Sequence, residues 1–131
     1  MRRRSNSKRA CERRRIAKKL DRWEASELCV LSGLYCPFPH THHLLTVGAH
    51  PALYLCPWNR LNVLPDLHRL AHDDENSFNA MVEKKFPGLL DSLILLEREW
   101  SKMALFEREE AIDSVISRQT HREFWESLEA A

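Results

Sequence analysis

The sequence predicts an α+β fold that is mostly α. A β-hairpin followed by a short helix is expected between an N-terminal basic helix and two C-terminal helices. Three observations support this fold: apolar residues recur at helical spacing towards both ends, prolines and Gly48 oppose helix between residues 36 and 59, and two short segments there suit strands. At 131 residues the chain suits one domain with a modest core, which we divide into residues 1–26, 27–75 and 76–131.

The first part is a basic arm. Residues 1–7 are expected to be disordered, and Ile16, Leu20 and Trp23 then predict a helix that ends near Ala25. Residues 1–22 hold eleven Lys or Arg against two acidic residues, whereas the remainder holds nine basic and seventeen acidic residues. Such an arm can neutralise phosphates in a salt-dependent way, which predicts a nucleic-acid partner, and a solvating tail or localisation signal is the alternative. The candidate phosphate-binding residues are Arg2, Arg3, Arg4, Lys8, Arg9, Arg13, Arg14, Arg15, Lys18 and Lys19.

The central part is expected to contain short strands and one helix. The apolar run from 28 to 31, stopped by Ser32 and Gly33, predicts a buried strand. Further strands are predicted at about 41–45 and 60–64. Pro65 and Asp66 suit the first turn of a helix that runs to about His72, because proline loses no hydrogen bond there and an acid meets the positive end of the helix dipole.

The C-terminal part is expected to form two helices. The first has an apolar face ending at Pro87 and Gly88, and the second, longer helix starts there. Its apolar stripe is expected to pack on the central part, and a homodimer through these helices is the less favoured alternative. The positions that define the two faces are Phe78, Met81, Val82 and Phe86, then Leu89, Leu93, Leu96, Trp100, Met103, Ile112, Val115 and Ile116.

Composition excludes several classes of protein. The sequence holds no apolar run long enough to span a membrane, and the arginine-rich start is unlike a signal peptide, so we expect a cytoplasmic protein with no membrane partner. The four cysteines have irregular spacings without a Cys-x-x-Cys pair, which predicts free thiols. An irregular metal site made by Cys29, Cys36, His40 and Cys56 is a minor alternative.

Six of the seven histidines fall between residues 40 and 72. His42 and His43 are adjacent on a predicted strand, whose successive side chains point to opposite faces, so the two rings can have separate tasks. His68 and His72 lie four apart on a predicted helix, so both rings project from one face and can bind one ion. Three imidazoles from a strand and a helix would leave positions open for water and a phosphate oxygen, which is typical of a catalytic metal site.

The ordered string of His42-His43, Asn59 and His68-Arg-Leu-Ala-His72 resembles the HNH (ββα-metal) nuclease motif, in the histidine-rich form of the DNase colicins and small phage endonucleases. The resemblance covers about 45 residues, from Cys29 to His72. Its most specific part is the spacing from Asn59 to His72. Paired Cys-x-x-Cys knuckles, which many members use for a structural zinc, do not precede His68.

The resemblance implies a metal-dependent endonuclease that hydrolyses phosphodiester bonds of DNA. The basic arm is expected to hold duplex or branched DNA by its phosphates, which predicts little sequence specificity. The resemblance also implies His43 as the general base, His42, His68 and His72 as metal ligands, and Asn59 as the residue that braces the loop and aims His43. Asn62 competes for the role of the motif asparagine, but it lies only six residues before His68.

The implied cofactor is one divalent ion. Nitrogen ligands favour zinc, nickel or cobalt by affinity, whereas magnesium or manganese is expected to serve in the cell. A compact chain with an arginine-rich start is similar to phage versions that act in the host cell. The alternative function is a catalytically inactive, zinc-binding accessory protein that binds nucleic acid.

Overall fold

The computed structural model describes the backbone of residues 2–129 and the side chains of residues 8–129. The fold is α+β and mostly α, as predicted, with one two-stranded antiparallel sheet. None of the helices in the described part of the chain combines the length and apolarity needed to cross a membrane. The elements in chain order are α1 (Arg2–Glu24), β1 (His40–His43), β2 (Arg60–Val63), α2 (Pro65–Asp73), α3 (Glu75–Lys85), α4 (Leu89–Lys102), α5 (Leu105–Ile116) and α6 (His121–Glu126).

Helix α1 is longer than the sequence predicted. It begins at Arg2, so the expected disorder of residues 1–7 is wrong for residues 2–7, while Met1 lies outside the described residues. The segment contains no Gly or Pro, and its many Arg and Lys residues have high helix propensity. Ile16 and Leu20 are fully buried, as their spacing predicted. The basic arm is therefore a long helix attached to the core by its second half.

The hairpin presents one buried strand and one outer strand. The four residues of β2 are all buried, whereas His40 and Thr41 of β1 are exposed and its last two residues are half-buried. In the register, His42 lies opposite Leu61 and His43 lies opposite Arg60. Both strands lie within two residues of their predicted bounds. The buried strand fixes the position of the outer strand, which carries the histidines.

The strand predicted at residues 28–31 does not form. This segment is buried, but it makes only a single bridge, between Leu28 and Tyr35, and turns at Gly33, whose φ of 75° favours glycine. Lys85 Nζ donates hydrogen bonds to the carbonyl oxygens of Val30 and Leu31 at 2.6 and 3.3 Å. A side chain thus takes acceptors that a neighbouring strand would otherwise use.

Helix α2 starts as predicted, with Pro65 in its first turn beside Asp66. The break before the next helix is only Asp74, narrower than the predicted 73–76, and its carboxylate accepts a hydrogen bond from the Ser77 amide at 3.1 Å. This cap lets α3 begin at once, so the two helices pack against each other beside the hairpin.

The prediction of two C-terminal helices is wrong, because the described residues form four. The long helix is interrupted at Met103 and Ala104, whose backbones are extended. Arg108 Nε donates to the Trp100 carbonyl at 2.9 Å and Glu107 accepts from the Ala104 amide at 2.9 Å, so side chains satisfy both helix ends. Helix α6, capped by Thr120, was not predicted.

The core unites all three predicted parts of the chain. The stripe of α4 is buried within the single chain at Leu89, Leu93 and Trp100, whereas Ile94 and Leu95 are exposed. Side chains at most 2% exposed come from helices at both ends and from the hairpin; they include Ile16, Leu20, Leu61, Val63, Phe78, Val82, Phe124 and Trp125. The hairpin and α2 are therefore supported by the surrounding helices.

Candidate metal centre

Three histidines from two elements converge at the surface of the hairpin. One ring nitrogen each from His42, His68 and His72 lie within 4.8 Å of one another, and this is the one such group found in the described residues. The Nε2 atoms of His68 and His72 are 3.2 Å apart. Two nitrogens bound to one tetrahedral zinc at ~2.0–2.1 Å are about 3.3 Å apart, so this pair already has the required separation.

Local structure explains this convergence. His42 is on the face of β1 that turns towards α2 and α3, and its ring lies against Phe78 with centroids 4.9 Å apart. His68 and His72 are one turn apart on α2, so their rings meet above the same face. Burial, then the neighbouring His68 and His72, lowers the pKa of His42 to about 4. The His42 ring is therefore neutral at cellular pH, which is the form that binds metals.

His43 points to the opposite face of the same strand. Its ring stacks on Tyr54, with centroids 6.2 Å apart and planes inclined by 24°. Burial, with a smaller effect of Arg60, lowers the pKa of His43 and keeps the ring neutral. Its Nε2 atom is buried and has no hydrogen-bond partner among the described residues. An unpartnered buried nitrogen costs about 1–3 kcal/mol, so such a group normally has a partner or a functional role.

The two asparagines have different partners. Asn59 is fully buried, and its amide makes a reciprocal pair with the Leu45 backbone, accepting from the amide at 2.8 Å and donating to the carbonyl at 3.0 Å. Asn62 instead accepts from the Thr41 hydroxyl at 3.0 Å and donates to the Glu24 carbonyl at 2.7 Å. Asn59 therefore holds the start of the loop that follows His43, and Asn62 ties the hairpin to α1.

His40 lies beside the histidine cluster and not in an irregular site with Cys29, Cys36 and Cys56. Its Nδ1 lies 3.1 Å from Nδ1 of His68, on the side of that ring away from His72. If His68 binds an ion through Nε2, its Nδ1–H is free to donate to His40, an outer contact that fixes ring orientation in metal sites. The signal was present in the sequence, since residues two apart on a strand share a face and His40 precedes His42 by two.

On the His43 face of the hairpin, a buried ion pair joins β2 to α1. Arg60, 4% exposed, contacts both carboxylate oxygens of Glu24, the shorter distance being 2.9 Å from Nε, and also reaches Asp21 at 2.7 Å. Burial raises the pKa of Glu24, and Arg60 opposes this shift. The pair fixes the strand that lies directly beside His43 in the register.

The other predicted candidates divide into packed and exposed groups. All four cysteines are free, as predicted; Cys11 is exposed and the other three are buried. Burial raises the pKa of Cys56 to about 12, so this thiol is protonated. His50 Nδ1 lies 2.9 Å from a carboxylate oxygen of Glu97, and Trp58 packs on Phe124. Among the described residues, the cysteines join no metal-binding group.

The candidate phosphate-binding residues of α1 are not equivalent. Arg15 contacts Glu109 at 2.7 Å, and Lys19 contacts Glu109 and Asp113, so both cations are engaged by α5. The side chains of Arg2, Arg3 and Arg4 lie outside the described ones. The remaining candidates are exposed and make no ion pair among the described side chains: Lys8, Arg9, Arg13, Arg14 and Lys18.

Comparisons of this chain with protein-family models, with curated proteins and with solved structures found no match.

Proposed function

We propose that this chain is a metal-dependent endonuclease of the HNH (ββα-metal) type that hydrolyses phosphodiester bonds of DNA with little sequence specificity. The proposal rests on one observation above all: imidazoles from a strand and the following helix converge within 4.8 Å, while the adjacent strand residue, His43, turns to the other face. A purely structural ion site has no use for that second histidine.

The residues present fit a divalent ion. His42, His68 and His72 would hold it through neutral nitrogens, a donor set that suits zinc or nickel by affinity and accepts manganese or magnesium less tightly. A bound ion would supply charge stabilisation at the phosphorus centre and at the leaving oxygen.

The chain's own groups perform the proton transfer and the positioning. His43 would accept the proton of the attacking water, which requires a neutral ring, and burial favours that form. Asn59 would keep the loop after His43 in place through its pair with Leu45. The exposed cations of α1 would bind backbone phosphates, and their affinity would depend on salt and not on base sequence.

The experiment is cleavage of supercoiled plasmid with zinc, nickel, manganese or magnesium, with chelator as the control. His43→Ala is expected to retain metal and DNA binding but to cut about 10²–10⁴-fold more slowly, the usual contribution of a general base. His50→Ala is the matched control, since His50 pairs with Glu97 outside the cluster. Cleavage by His43→Ala at the parent rate would show that the base is wrongly assigned.

One observation favours a second function, a zinc-binding accessory protein that binds nucleic acid without cutting it. The buried Nε2 of His43 is out of reach of bulk water in this structure. This atom can accept a proton from the attacking water only if a water molecule enters beside Tyr54. Intact plasmid under every metal, together with zinc-dependent thermal stabilisation, would select this function over the nuclease.

A further inference from the structure

A cleft lined by three arginines lies between α1 and the start of α5. Its volume is about 340 Å³, and Arg9, Arg13 and Arg108 line it together with Pro51 and Ala52 of the loop between the strands. None of its lining residues is acidic. Concave sites of this size hold small ligands or single groups of larger ones.

The charges of these arginines are not neutralised within the described part of the protein. None of the three makes a salt bridge there, in contrast to Arg15 and Lys19 on the neighbouring face of α1. Burial lowers the pKa of Arg108, and the nearby positive charges of Arg13 and Arg9 lower it further. A bound anion would relieve that repulsion, and arginine forks match phosphate oxygens well.

The cleft is close to the proposed catalytic base. The guanidinium carbon of Arg13 lies 5.1 Å from the centroid of the Tyr54 ring, and the centroid of the His43 ring lies 6.2 Å from the same point. A DNA strand advances about 3.4 Å per nucleotide, so the cleft is no more than about three nucleotides from a phosphate placed at His43.

We propose that the cleft formed by Arg9, Arg13 and Arg108 binds one backbone phosphate of the DNA strand that is cut, within about three nucleotides of the cut. This inference rests on the proposed nuclease function, because it assigns a subsite to that substrate. It makes Arg9 and Arg13 positioning residues that set where the strand crosses His43. Lys8, Arg14 and Lys18 then add only general attraction.

The test is binding of a short fluorescent duplex, measured by anisotropy in chelator so that no cleavage occurs. The double variant Arg9→Gln/Arg13→Gln is expected to weaken affinity about 100-fold, roughly tenfold for each charged hydrogen-bonding group removed. The matched control, Arg14→Gln/Lys18→Gln, removes the same charge from exposed positions of the same helix that do not line the cleft. It is expected to weaken binding only a few-fold, and circular dichroism checks that both variants fold.

Substrate chemistry supplies a second arm. The duplex is made just long enough to hold one protein in one register, and a single neutral methylphosphonate linkage is moved along the strand. At one position it is expected to weaken binding of the parent as much as the arginine variants do, and that linkage should have no further effect in Arg9→Gln/Arg13→Gln. Equal losses in the two double variants overturn the proposal, as does a parent that does not bind the duplex. Inorganic phosphate could stabilise the parent and Arg14→Gln/Lys18→Gln but not Arg9→Gln/Arg13→Gln, while all three proteins bind the duplex equally well. In that case the ligand of the cleft is a small anion and the DNA assignment fails. A parent that binds as expected but nicks no plasmid overturns the nuclease, and with it the position relative to a cut, while the cleft remains a binding site for a DNA phosphate.

Discussion

The two faces of the hairpin handle polar groups in opposite ways. On one face Arg60 and Asn62 are buried, and each is fully engaged by α1 or by the neighbouring strand. On the other face, His40 and His42 meet the two histidines of α2, and the ring nitrogens of this group lie mainly against one another. Polar groups that hold a fold together are normally paired internally. Groups left facing one another at a surface are those available to a ligand.

His43 is an exception on the Arg60 face, because it is a partly buried polar side chain with a nitrogen that is unpartnered in the described part of the chain. It lies on the same face as Arg60, yet its Nε2 has no partner among the described residues. The comparison therefore predicts that changes on the Arg60 face alter stability first, that changes in the cluster alter metal binding first, and that His43 alters neither strongly.

The largest effect is expected from breaking the buried ion pair. Arg60→Met leaves Glu24 buried without its partner and should lower the free energy of unfolding by about 3–5 kcal/mol, measured by urea denaturation. The double variant Arg60→Met/Glu24→Leu should recover most of that loss, since it removes both charges. No recovery would mean that the pair contributes through packing and not through its charges.

Removing a cluster histidine should alter metal binding and leave the fold intact. At zinc one hundredfold above the dissociation constant, the parent should gain about 2.7 kcal/mol of stability. His68→Ala should lose nearly all of that gain at the same zinc concentration, while its metal-free stability stays within about 0.5 kcal/mol of the parent, as for other surface changes. Equal zinc-induced shifts in parent and variant would rule out His68 as a ligand.

His40 provides a graded version of the same test. If it orients His68 through the Nδ1 contact, His40→Ala should weaken zinc binding about 10–100-fold, the usual cost of losing an outer partner of a metal ligand. Isothermal titration calorimetry measures this directly. Thr41→Ala is the control, because Thr41 is next to His40 on the strand but its side chain points to the opposite face and contacts Asn62.

Asn59→Ala tests the loop brace. The variant removes both hydrogen bonds between the Asn59 side chain and the partly buried Leu45 backbone, and this should cost about 1–3 kcal/mol of stability. At a temperature where the variant is folded, the rate of cleavage at saturating DNA should fall while KM changes little, because the loop after His43 is displaced. Asn62→Ala is the control, and a matching fall in its saturated rate would show that both asparagines act only through stability.

The smallest effect concerns His121, a histidine with both nitrogens engaged. Its Nε2 accepts from the Trp125 indole at 3.0 Å and its Nδ1 lies 3.2 Å from the Ser26 hydroxyl. Burial, then Arg60, lowers its pKa to about 4 from the ordinary 6.5. The unfolded chain therefore binds more protons between these values, and stability present above pH 6.5 is lost as the pH falls towards 4.

At pH 5.5 the expected loss from this group is about 1 kcal/mol. His121→Gln should remove that part of the pH dependence, which urea denaturation at a series of pH values measures. An identical pH slope in parent and variant would show that His121 keeps its ordinary pKa in the folded protein.

Short-range patterns predicted most of the hairpin and α2. Pro65, the spacing of His68 and His72, and strand alternation at His42 each act within a few residues, so local sequence determined them. The prediction of a strand at residues 28–31 is wrong. Two carbonyls of this segment accept hydrogen bonds from Lys85, which lies more than fifty positions away in the sequence. The break in the long helix was not predicted because Met103 continues the apolar stripe. The two helix ends at the break are satisfied by the side chains of Arg108 and Glu107.

For the candidate site, the sequence predicted which histidines meet but not what surrounds them. The position of His40 beside them follows from strand alternation, because His40 and His42 lie two apart on β1 and share a face. The stacking of Tyr54 on His43 and the engagement of Arg15 by Glu109 join residues that no periodicity relates. The second contact decides that Arg15 is paired within the protein, and no local pattern in the sequence indicates it.

The unequal burial of the four thiols allows α1 to be labelled at a single position. A maleimide fluorophore should attach at Cys11 alone, because Cys29, Cys36 and Cys56 are shielded from solvent. The dye would then sit on α1 two residues from Arg9 and Arg13, without any engineered cysteine. Under the proposed function, its emission would report, in real time and with no label on the nucleic acid, when a strand binds beside the helix and when it dissociates.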